Sequence, residues 1–383
     1  MQTTPLSPED PAELGGFELL GRIGHGGMGQ VYLGESPGGE PAAVKVIKAS
    51  VVDSEARLRF AQETEILKTI WGPRIAAFLD ADPEAERPWL ATEYVDGPDL
   101  RKHITTHGPL PSVLVASLGA TLAEALAAVH KQGLVHRDLK PANLLLGPNG
   151  PKIIDFGLAV FTETGATLTA PNTVMGTPAC MSPEQANGIK PHDSPVDVYA
   201  LGAVLLYAAT GHYPHQADNV HVLFHMITDR SKEPDLTGAP EELVPLLAAM
   251  LAYAPADRPA LPEVVQQCRV IIEAQGMKVA QARRRLTTFT APGPSARAAA
   301  EAPTEPVPQE PPAPTLPLET SAPAVYTPTV KVDDPAPADQ GQPPAPTPLK
   351  PKRPAAPAPL RHSVQARKVA QQLRETYAQS AAF

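Results

Sequence analysis

The sequence predicts an α+β fold in which a small β-rich lobe is followed by a larger helical lobe, with a cleft between them. Two observations carry this prediction. Short apolar runs separated by glycine-rich turns fill the first part of the folded region, and this pattern is typical of hairpins. From Pro98 onward, apolar residues recur at intervals of three and four, which is typical of packed helices.

The composition of the 383-residue chain supports a folded core and argues against several classes of protein. Hydrophobic residues make up 43%, and the formal net charge of −9 argues against nucleic acid as the main partner. The two cysteines, Cys180 and Cys268, cannot form a disulfide framework, so a reducing, cytoplasmic location is expected. The N-terminal residues lack the basic start and apolar core of a signal peptide. No run of about 18 apolar residues predicts a membrane span.

One folded region is expected, preceded by a short polar segment. Residues 1–16 contain prolines and acidic residues, and they are expected to form a flexible N-terminus. The folded region is predicted over 17–275, with the small lobe at 17–95 and the larger lobe at 98–275. The sequence therefore predicts a single two-lobed domain in the first three quarters of the chain.

The C-terminal part of the chain has a different composition. Residues 276–360 are predicted to form a disordered linker rich in Pro and Ala, since 21 of the 47 prolines fall within 291–360. Proline interrupts helices and sheets, and such a segment buries too little apolar surface to offset the entropy of ordering. Residues 361–383 regain helix-forming residues and predict a short basic helix, with a solvated tail as the alternative. The tail is a candidate binding site for a partner that delivers an input signal, or a passive spacer.

Each element of the small lobe follows from a local pattern. Strands are predicted at Phe17–Ile23, Val31–Gly34 and Ala42–Ile47, and a helix at Ser54–Ile70. In the larger lobe the longest helical pattern is expected to end near Gly133, because glycine commonly follows the last turn of a helix. Its apolar positions are Leu114, Leu118, Leu122, Leu126 and Val129.

A glycine-rich turn joins the first two strands, with the sequence Gly24-His25-Gly26-Gly27-Met28-Gly29. Strand-like residues follow it, so the glycines cap a hairpin and do not open the helix of a dinucleotide-binding fold. Glycine adopts positive φ and lets backbone N–H groups approach phosphate oxygens. Lys45 lies in the third strand between Val44 and Val46, where an unpaired charge is costly to bury. We therefore expect Lys45 to point into the cleft, towards phosphates and a carboxylate.

The carboxylate that faces Lys45 is expected from the following helix. Glu63 and Glu65 both qualify, and they face opposite sides of the helix because they are two positions apart. Glu63 is favoured, since Phe60 and Leu67 would then pack inward beside it. Glu65 is the alternative, and the glutamate that is not used is expected to face solvent.

The most informative stretch is His136-Arg137-Asp138-Leu139-Lys140-Pro141-Ala142-Asn143, followed twelve residues later by Asp155-Phe156-Gly157. It places two carboxylates, a carboxamide and an amine close together in sequence. In-line transfer of a phosphoryl group to a hydroxyl needs that set. One carboxylate accepts the hydroxyl proton, a second carboxylate and a neutral oxygen hold Mg²⁺, and a cation offsets the charge of the transferred group. The alternative, a charged surface loop before a strand, is disfavoured by the length of the match.

Over roughly residues 17–272, these motifs resemble those of the eukaryotic-like (Hanks-type) serine/threonine protein kinases, in particular the bacterial members. The resemblance implies that Asp138 is the catalytic base and that Asn143 and Asp155 hold Mg²⁺. It implies that Lys140 contacts the γ-phosphate of ATP. Mg²⁺ is the expected metal, with Mn²⁺ as a substitute.

The resemblance also implies the composition of the nucleotide site. Lys45 would contact the α- and β-phosphates while paired with Glu63, and Thr92 would be the small residue behind the adenine. Backbone groups of the hinge residues Glu93 and Val95 would bind the adenine edge. The residues implied to contact ATP are Ile23, Gly24, His25, Gly26, Gly27, Met28, Gly29, Val31, Ala43, Lys45, Glu93, Val95 and Leu145.

Further motifs agree with the same family. The segment from Gly176 to Glu184 resembles the substrate-binding region, although Ser182 and Cys180 depart from the residues common there. Asp197 resembles the aspartate that anchors the catalytic loop. Arg258 resembles the arginine that pairs with the glutamate that ends the substrate-binding motif.

The residues also suggest how activity is controlled. Arg137 precedes the implied base, and a phosphate on the following segment would pair with it and order that segment. We expect autophosphorylation at Thr169 or Thr173. Whether two chains pair through their small lobes is left open.

Two other classes of function compete with an active protein kinase. A catalytically inactive ATP-binding scaffold (a pseudokinase) would require the loss of Lys45, Asp138, Asn143 or Asp155, and all four are present. A kinase acting on a small molecule would usually lack the substrate-binding segment. The expected substrates are therefore proteins, and the resemblance implies that they are phosphorylated on Ser or Thr in bacterial signal transduction.

Overall fold

The computed structural model describes residues 3–25, 29–48, 54–156 and 178–291. All of them belong to the first of two compact units, which spans 1–305. Within the described ranges, the predicted α+β fold is confirmed. A small lobe built on a sheet precedes a larger lobe built on helices, and the chain passes between them directly after the sixth strand.

The small lobe contains an antiparallel sheet with one helix beside it. The strands are β1 (Glu13–Leu14), β2 (Phe17–His25), β3 (Gly29–Glu35), β4 (Pro41–Ile47), β5 (Phe78–Asp82) and β6 (Trp89–Glu93), and the helix is α1 (Ser54–Leu67). In the described residues the strand order is β1-β2-β3-β4-β6-β5. Helix α1 ends earlier than the predicted Ile70, because the chain then turns through Lys68 and Thr69.

The cross-strand register sorts the side chains of this sheet into two faces. Val31 lies opposite Lys45, and Ala43 lies opposite Thr92. Since directly opposed residues share a face, these four side chains point to the same side, towards the larger lobe. The other face carries a buried apolar cluster made by Phe17, Leu19, Tyr32, Ala42, Val44, Trp89 and Ala91.

The larger lobe packs its helices around two that are buried on nearly all sides. Its elements are α2 (Leu100–His107), α3 (Ser112–His130), β7 (Leu144–Gly147), β8 (Gly150–Ile153), α4 (Pro183–Ala186), α5 (Pro195–Thr210), α6 (Val220–Thr228), α7 (Val244–Met250), α8 (Leu261–Ala274) and α9 (Val279–Thr290). Helices α3 and α5 are apolar all round, which is typical of helices at the centre of a core. Helix α3 is long and apolar enough to cross a membrane, but 78% of its most apolar window is buried inside the protein.

The predicted end of α3 is confirmed. The helix stops at His130, and Gly133 adopts a positive φ of 81° in the turn that follows. That turn directs the chain into the loop containing the His136–Asn143 motif. A short 3₁₀ turn at the end of the motif leads into the hairpin β7–β8.

The expectation of a flexible N-terminus over residues 1–16 is wrong for the part that the structure describes. Thr4 exchanges backbone hydrogen bonds with Arg22 at 2.9 and 2.8 Å, and β1 pairs with β2. Leu6 and Leu14 pack against the apolar cluster on the outer face of the sheet. The polar composition of this segment concealed its docking, because docking depends on partners that lie further along the chain.

The domain boundary predicted at residue 275 is also wrong, since α9 continues the fold. Ala282, Leu286 and Thr290 are at most 1% exposed, and the helix packs on α3, α8 and the β7–β8 hairpin. These residues recur every four positions and no proline interrupts them, so they form one buried helical stripe. The rest of the predicted linker and the predicted helix at 361–383 lie outside the described residues.

Candidate active site

The loop between α3 and β7 brings the polar residues of the central motif together. Lys140 Nζ donates to Asp138 Oδ2 at 2.6 Å. Asn143 Nδ2 donates to the backbone oxygen of Asp138 at 2.8 Å and lies 3.3 Å from Asp138 Oδ2. The 3₁₀ turn that begins at Pro141 carries Asn143 back beneath Asp138. A carboxylate, an amine and a carboxamide therefore meet at one point.

Asp197, at the start of α5, anchors this loop from inside the larger lobe. Its carboxylate is fully buried and accepts hydrogen bonds from His130 Nε2 at 2.7 Å and from the backbone N–H groups of His136 (2.8 Å) and Arg137 (2.9 Å). Burial alone would raise the pKa of Asp197, but the hydrogen bond from His130 and the neighbouring histidines hold it below its usual value. Arg137 sits at a positive φ of 65°, a strained conformation that these bonds hold in place.

The second carboxylate of the predicted set, Asp155, follows β8 and is bound by Lys45. Lys45 Nζ donates to Asp155 Oδ2 at 2.7 Å, so the small lobe and the larger lobe meet at this ion pair. Burial would raise the pKa of Asp155, but Lys45 outweighs that effect and the pKa is lowered. The backbone N–H of Ile154 donates to the backbone oxygen of Asn143 at 3.0 Å, which holds the segments of the two predicted metal ligands, Asn143 and Asp155, side by side.

The pair predicted between Lys45 and Glu63 is not formed in this structure. Glu63 instead accepts a hydrogen bond from Arg137 Nη1 at 3.0 Å. The physical reason is competition between carboxylates, since the partly buried Asp155 carboxylate requires a cation and Lys45 Nζ lies 2.7 Å from it. The alternative carboxylate, Glu65, pairs with Lys68 at the surface, as expected for the unused glutamate.

The remaining nucleotide-site residues line the cleft between sheet and hairpin. Val95 and Leu145 belong to one buried apolar cluster below the cleft face of the sheet. The backbone N–H of Glu93 donates to Ala77 O at 2.8 Å, and its carboxylate binds Lys152 Nζ at 2.5 Å.

The described ends of the glycine-rich turn show why glycine is needed there. A Cβ at Gly29 would lie 1.9 Å from Val46 O, so only glycine fits at that position. Gly24 pairs with Val31, and His25 ends β2. Gly26, Gly27 and Met28 lie outside the described residues.

Comparison with known proteins identifies this arrangement. The family model described as "Protein kinase domain" matches residues 17–268. The chain belongs to the protein kinase family. The match covers both lobes and every catalytic-loop residue described above.

The relatives of this kinase domain include bacterial serine/threonine kinases. The probable serine/threonine-protein kinase PkwA of Thermomonospora curvata is 44% identical over 264 residues, which cover 69% of this chain and 35% of that protein. Serine/threonine-protein kinase AfsK of Streptomyces coelicolor is 43% identical over 256 residues, which cover 66% and 32%. The matched region thus spans about a third of the length of these relatives. Among solved structures, a crystal structure of Rad53 1-466 in complex with AMP-PNP is similar, with a TM-score of 0.55 and 25% identity over 66% of this chain and 64% of that one.

Next to Thr92 the domain has a small, mostly apolar pocket, which Leu67 at the end of α1 also lines. Phe156 lines this pocket and packs against His136, with ring centroids 4.5 Å apart. Asp155 adopts a positive φ of 66° directly before Phe156, and both residues line the pocket. The remaining lining residues are Ile70, Ile75, Ala76, Phe78, Leu90 and Ile154.

Beyond the cleft, the predicted pair between Arg258 and Glu184 is present. Arg258 donates from Nη1 and Nη2 to the two oxygens of Glu184 at 2.6 and 2.8 Å, and its guanidinium lies over the Tyr199 ring. Cys180 is buried, and burial raises the pKa of its thiol, so it is held as a neutral thiol. Thr177, like the predicted phosphorylation sites Thr169 and Thr173, lies outside the described residues.

Sequence reasoning missed two residues that support the catalytic loop. His130 binds Asp197 from the last turn of α3, and Gln185 Nε2 donates to the backbone oxygen of Arg137 at 2.9 Å. The sequence indicated these residues only by position, since His130 lies at the end of the helix before the motif and Gln185 directly follows Glu184. Neither residue belongs to a motif with a recognisable spacing.

Proposed function

We propose that this chain is an ATP-dependent serine/threonine protein kinase that transfers the γ-phosphate of ATP to hydroxyl groups of proteins. The observation that carries the proposal is the convergence of Lys45, Asp155, Asn143, Asp138 and Lys140 on one edge of the cleft. Catalysis of phosphoryl transfer consists mostly of positioning and of charge stabilisation, and this set supplies both. The names of the bacterial relatives support the same activity.

In this proposal, Asp138 accepts the proton of the attacking hydroxyl. Lys140 lies 2.6 Å from its carboxylate and would offset the charge of the γ-phosphate as it moves between the two groups. The bonds from Asn143 and the anchor at Asp197 hold the loop in place, so the base does not need to reorganise during the reaction.

The chemistry of the donors fits a magnesium ion bound with the nucleotide. Asn143 uses Nδ2 for its hydrogen bonds, and among the described residues no donor occupies its Oδ1. Asp155 adds a carboxylate beside it. In the described ranges no group of three or more His, Cys, Asp or Glu could hold a metal alone, and Mg²⁺ usually takes one or two carboxylates together with phosphates. When bound, Mg²⁺ or Mn²⁺ would neutralise charge on the phosphates.

The nucleotide would lie between the sheet and the hairpin. Val31 and Ala43 would cover one side of the adenine, and Leu145 the other. The Glu93 carbonyl and the Val95 N–H would bind its edge. The first part of the glycine-rich turn, from Ile23 to His25, and Gly29 would place backbone N–H groups over the phosphates, with Gly26, Gly27 and Met28 between them.

Activation is proposed to exchange ion pairs. A phosphate on Thr169 or Thr173 would attract Arg137, which binds Glu63 in this structure. Glu63 would then pair with Lys45, and Lys45 would turn from Asp155 to the α- and β-phosphates. The proposed setting is bacterial signalling in the cytoplasm, with protein substrates and with a partner that binds the proline-rich tail.

The test is phosphate transfer by the purified full chain with Mg²⁺ and labelled ATP, followed by mass spectrometry. Asp138→Asn should abolish transfer and retain ATP binding, Lys45→Met should lose transfer, and Glu65→Gln, a matched surface change on α1, should behave as wild type. Label on Thr169 or Thr173 in the wild type alone would support both activity and activation. Nucleotide binding without transfer to the chain or to a basic protein substrate would favour the scaffold hypothesis.

A further inference from the structure

Residues Thr3–Leu14, called the N-terminal strap below, cross the outer face of the small-lobe sheet. They precede the segment matched by the family model, which begins at residue 17. The backbone of Thr4 is hydrogen-bonded to Arg22, and two leucines of the strap pack on the outer apolar cluster. The strap is therefore an added part of the small lobe.

Asp10 joins this strap to both strands of the glycine-rich hairpin. Its Oδ2 accepts a hydrogen bond from Arg22 Nε at 2.7 Å, and its Oδ1 accepts one from Arg22 Nη2 at 2.8 Å. Tyr32 Oη donates to Oδ1 at 2.7 Å, and the Ser7 N–H donates to Oδ2 at 2.7 Å. Ser7 Oγ in turn accepts from Arg22 Nη2 at 2.6 Å. The Asp10 carboxylate is only 6% exposed, so this charge is buried and fully hydrogen-bonded.

The charge states of Asp10 and Tyr32 match the hydrogen bonds of this network. The Arg22 guanidinium holds the pKa of the Asp10 carboxyl well below its usual range, although burial opposes it. Burial, and then the hydrogen bond to Asp10, raise the pKa of Tyr32 to about 12. Asp10 is therefore an anion and Tyr32 a neutral donor throughout the neutral range.

The two residues that Asp10 holds lie directly before the nucleotide-binding part of the hairpin. Arg22 and Tyr32 face each other across β2 and β3, and the next pair is Gly24 with Val31. Ile23 is the extra residue between these pairs, so the hairpin bulges there. A bulge changes the direction of the side chains beside it. With Tyr32 held on the outer face, its neighbour Val31 points into the cleft.

We propose that Asp10 is a positioning residue for the nucleotide. By tying Arg22 and Tyr32 to the strap, it holds the hairpin in the register that presents Ile23 and Val31 to the adenine. The inference deepens the proposed function, because it rests on nucleotide binding in the same cleft. A hairpin released from the strap samples more conformations, and a nucleotide must then order it at the expense of affinity. The catalytic loop is anchored independently through the larger lobe, so the rate at saturating ATP is retained.

The decisive variant is Asp10→Asn, which keeps the shape of the side chain and removes its charge. Glu9→Gln is the matched control, because it makes the same chemical change at the exposed neighbouring residue. KM for ATP and kcat are measured on the full chain, and Kd for a non-hydrolysable ATP analogue with Mg²⁺ is measured by calorimetry. Asp10→Asn should raise KM and Kd on the order of threefold to tenfold with kcat within about twofold of wild type, which is the signature of lost binding rather than lost chemistry. Glu9→Gln should match wild type.

A second variant keeps the test valid if Asp10→Asn does not fold. Tyr32→Phe removes only the phenol hydrogen bond and should raise Kd in the same direction by a smaller factor. An unchanged Kd in the folded variants, even with a lower unfolding temperature, would overturn the inference and leave the strap a purely structural element. Because Kd needs no phosphate transfer, a wild-type chain that binds the analogue but transfers nothing would refute the proposed function alone.

Discussion

Replacing Leu286 in α9 by alanine tests whether this helix is part of the folded domain. Leu286 is 0% exposed and lies in the main apolar core, and the helix packs on α3 and on the β7–β8 hairpin. Buried leucine-to-alanine changes cost about 2.7–5.0 kcal/mol, from lost transfer energy and the cavity left behind. We expect about 3 kcal/mol here, since neighbouring elements on two sides restrict collapse into the cavity.

The assay is thermal and urea unfolding of the full chain. For a domain of this size, 1 kcal/mol corresponds to about 2–4 °C, so Leu286→Ala should lower Tm by about 6–12 °C. Leu58→Ala is the matched control, because Leu58 is 60% exposed on α1 and its replacement should change stability by less than about 0.5 kcal/mol. Equal effects of the two substitutions would refute the docking of α9 and restore the boundary at residue 275.

Three other predictions concern buried polar groups. Arg258→Met leaves the Glu184 carboxylate without its bidentate partner and should lower the free energy of unfolding in urea by about 3–5 kcal/mol at neutral pH. An equal loss at strongly acidic pH, where Glu184 is protonated, would argue against an ionic origin. Asp197→Asn replaces one carboxylate oxygen that accepts hydrogen bonds from the backbone of the catalytic loop. We expect kcat to fall on the order of a hundredfold while Kd for ATP is retained. Parallel losses in kcat and in ATP affinity would contradict the anchoring role. Burial, and then nearby His107, lower the pKa of His103 in the folded state. Below about pH 6.5 the unfolded state therefore binds more protons than the folded state, and the free energy of unfolding falls as the pH falls. His103→Leu should show a shallower decline of unfolding free energy between about pH 7.5 and 5.5 than wild type, and an equal slope would exclude His103 as its source.

The sequence was sufficient wherever a structure depends on residues close together in the chain. The strands on both sides of the glycine-rich turn, the end of α3 before Gly133 and the grouping of Asp138, Lys140 and Asn143 are all local features. Each depends on periodicity or on backbone preferences that act over a few residues. The pair between Arg258 and Glu184 is distant in sequence, and it was predicted only through resemblance to a family.

The errors arose at contacts between distant segments. Polar composition suggested a flexible start of the chain, but the Arg22 guanidinium and the outer face of the sheet bind the strap. Proline content suggested a linker from residue 276, but the proline-free stretch up to Thr290 adds a buried helix. Composition averages over a window, whereas docking depends on a few side chains and on the surface they meet.

The sequence by itself determined the order of the lobes and the grouping of a carboxylate, an amine and a carboxamide in one loop, because these are properties of residue type and local spacing. It also predicted, through family resemblance, the residues proposed to bind nucleotide and metal. Only the tertiary structure decided which carboxylate binds Lys45, which cation binds Glu63, and that the folded domain includes residues on both sides of the predicted range 17–275. Ion pairing depends on distances of a few ångströms and on burial, and packing between lobes sets both. The pairing of Asp155 with Lys45 therefore could not be read from spacing, although every residue in it was identified in advance.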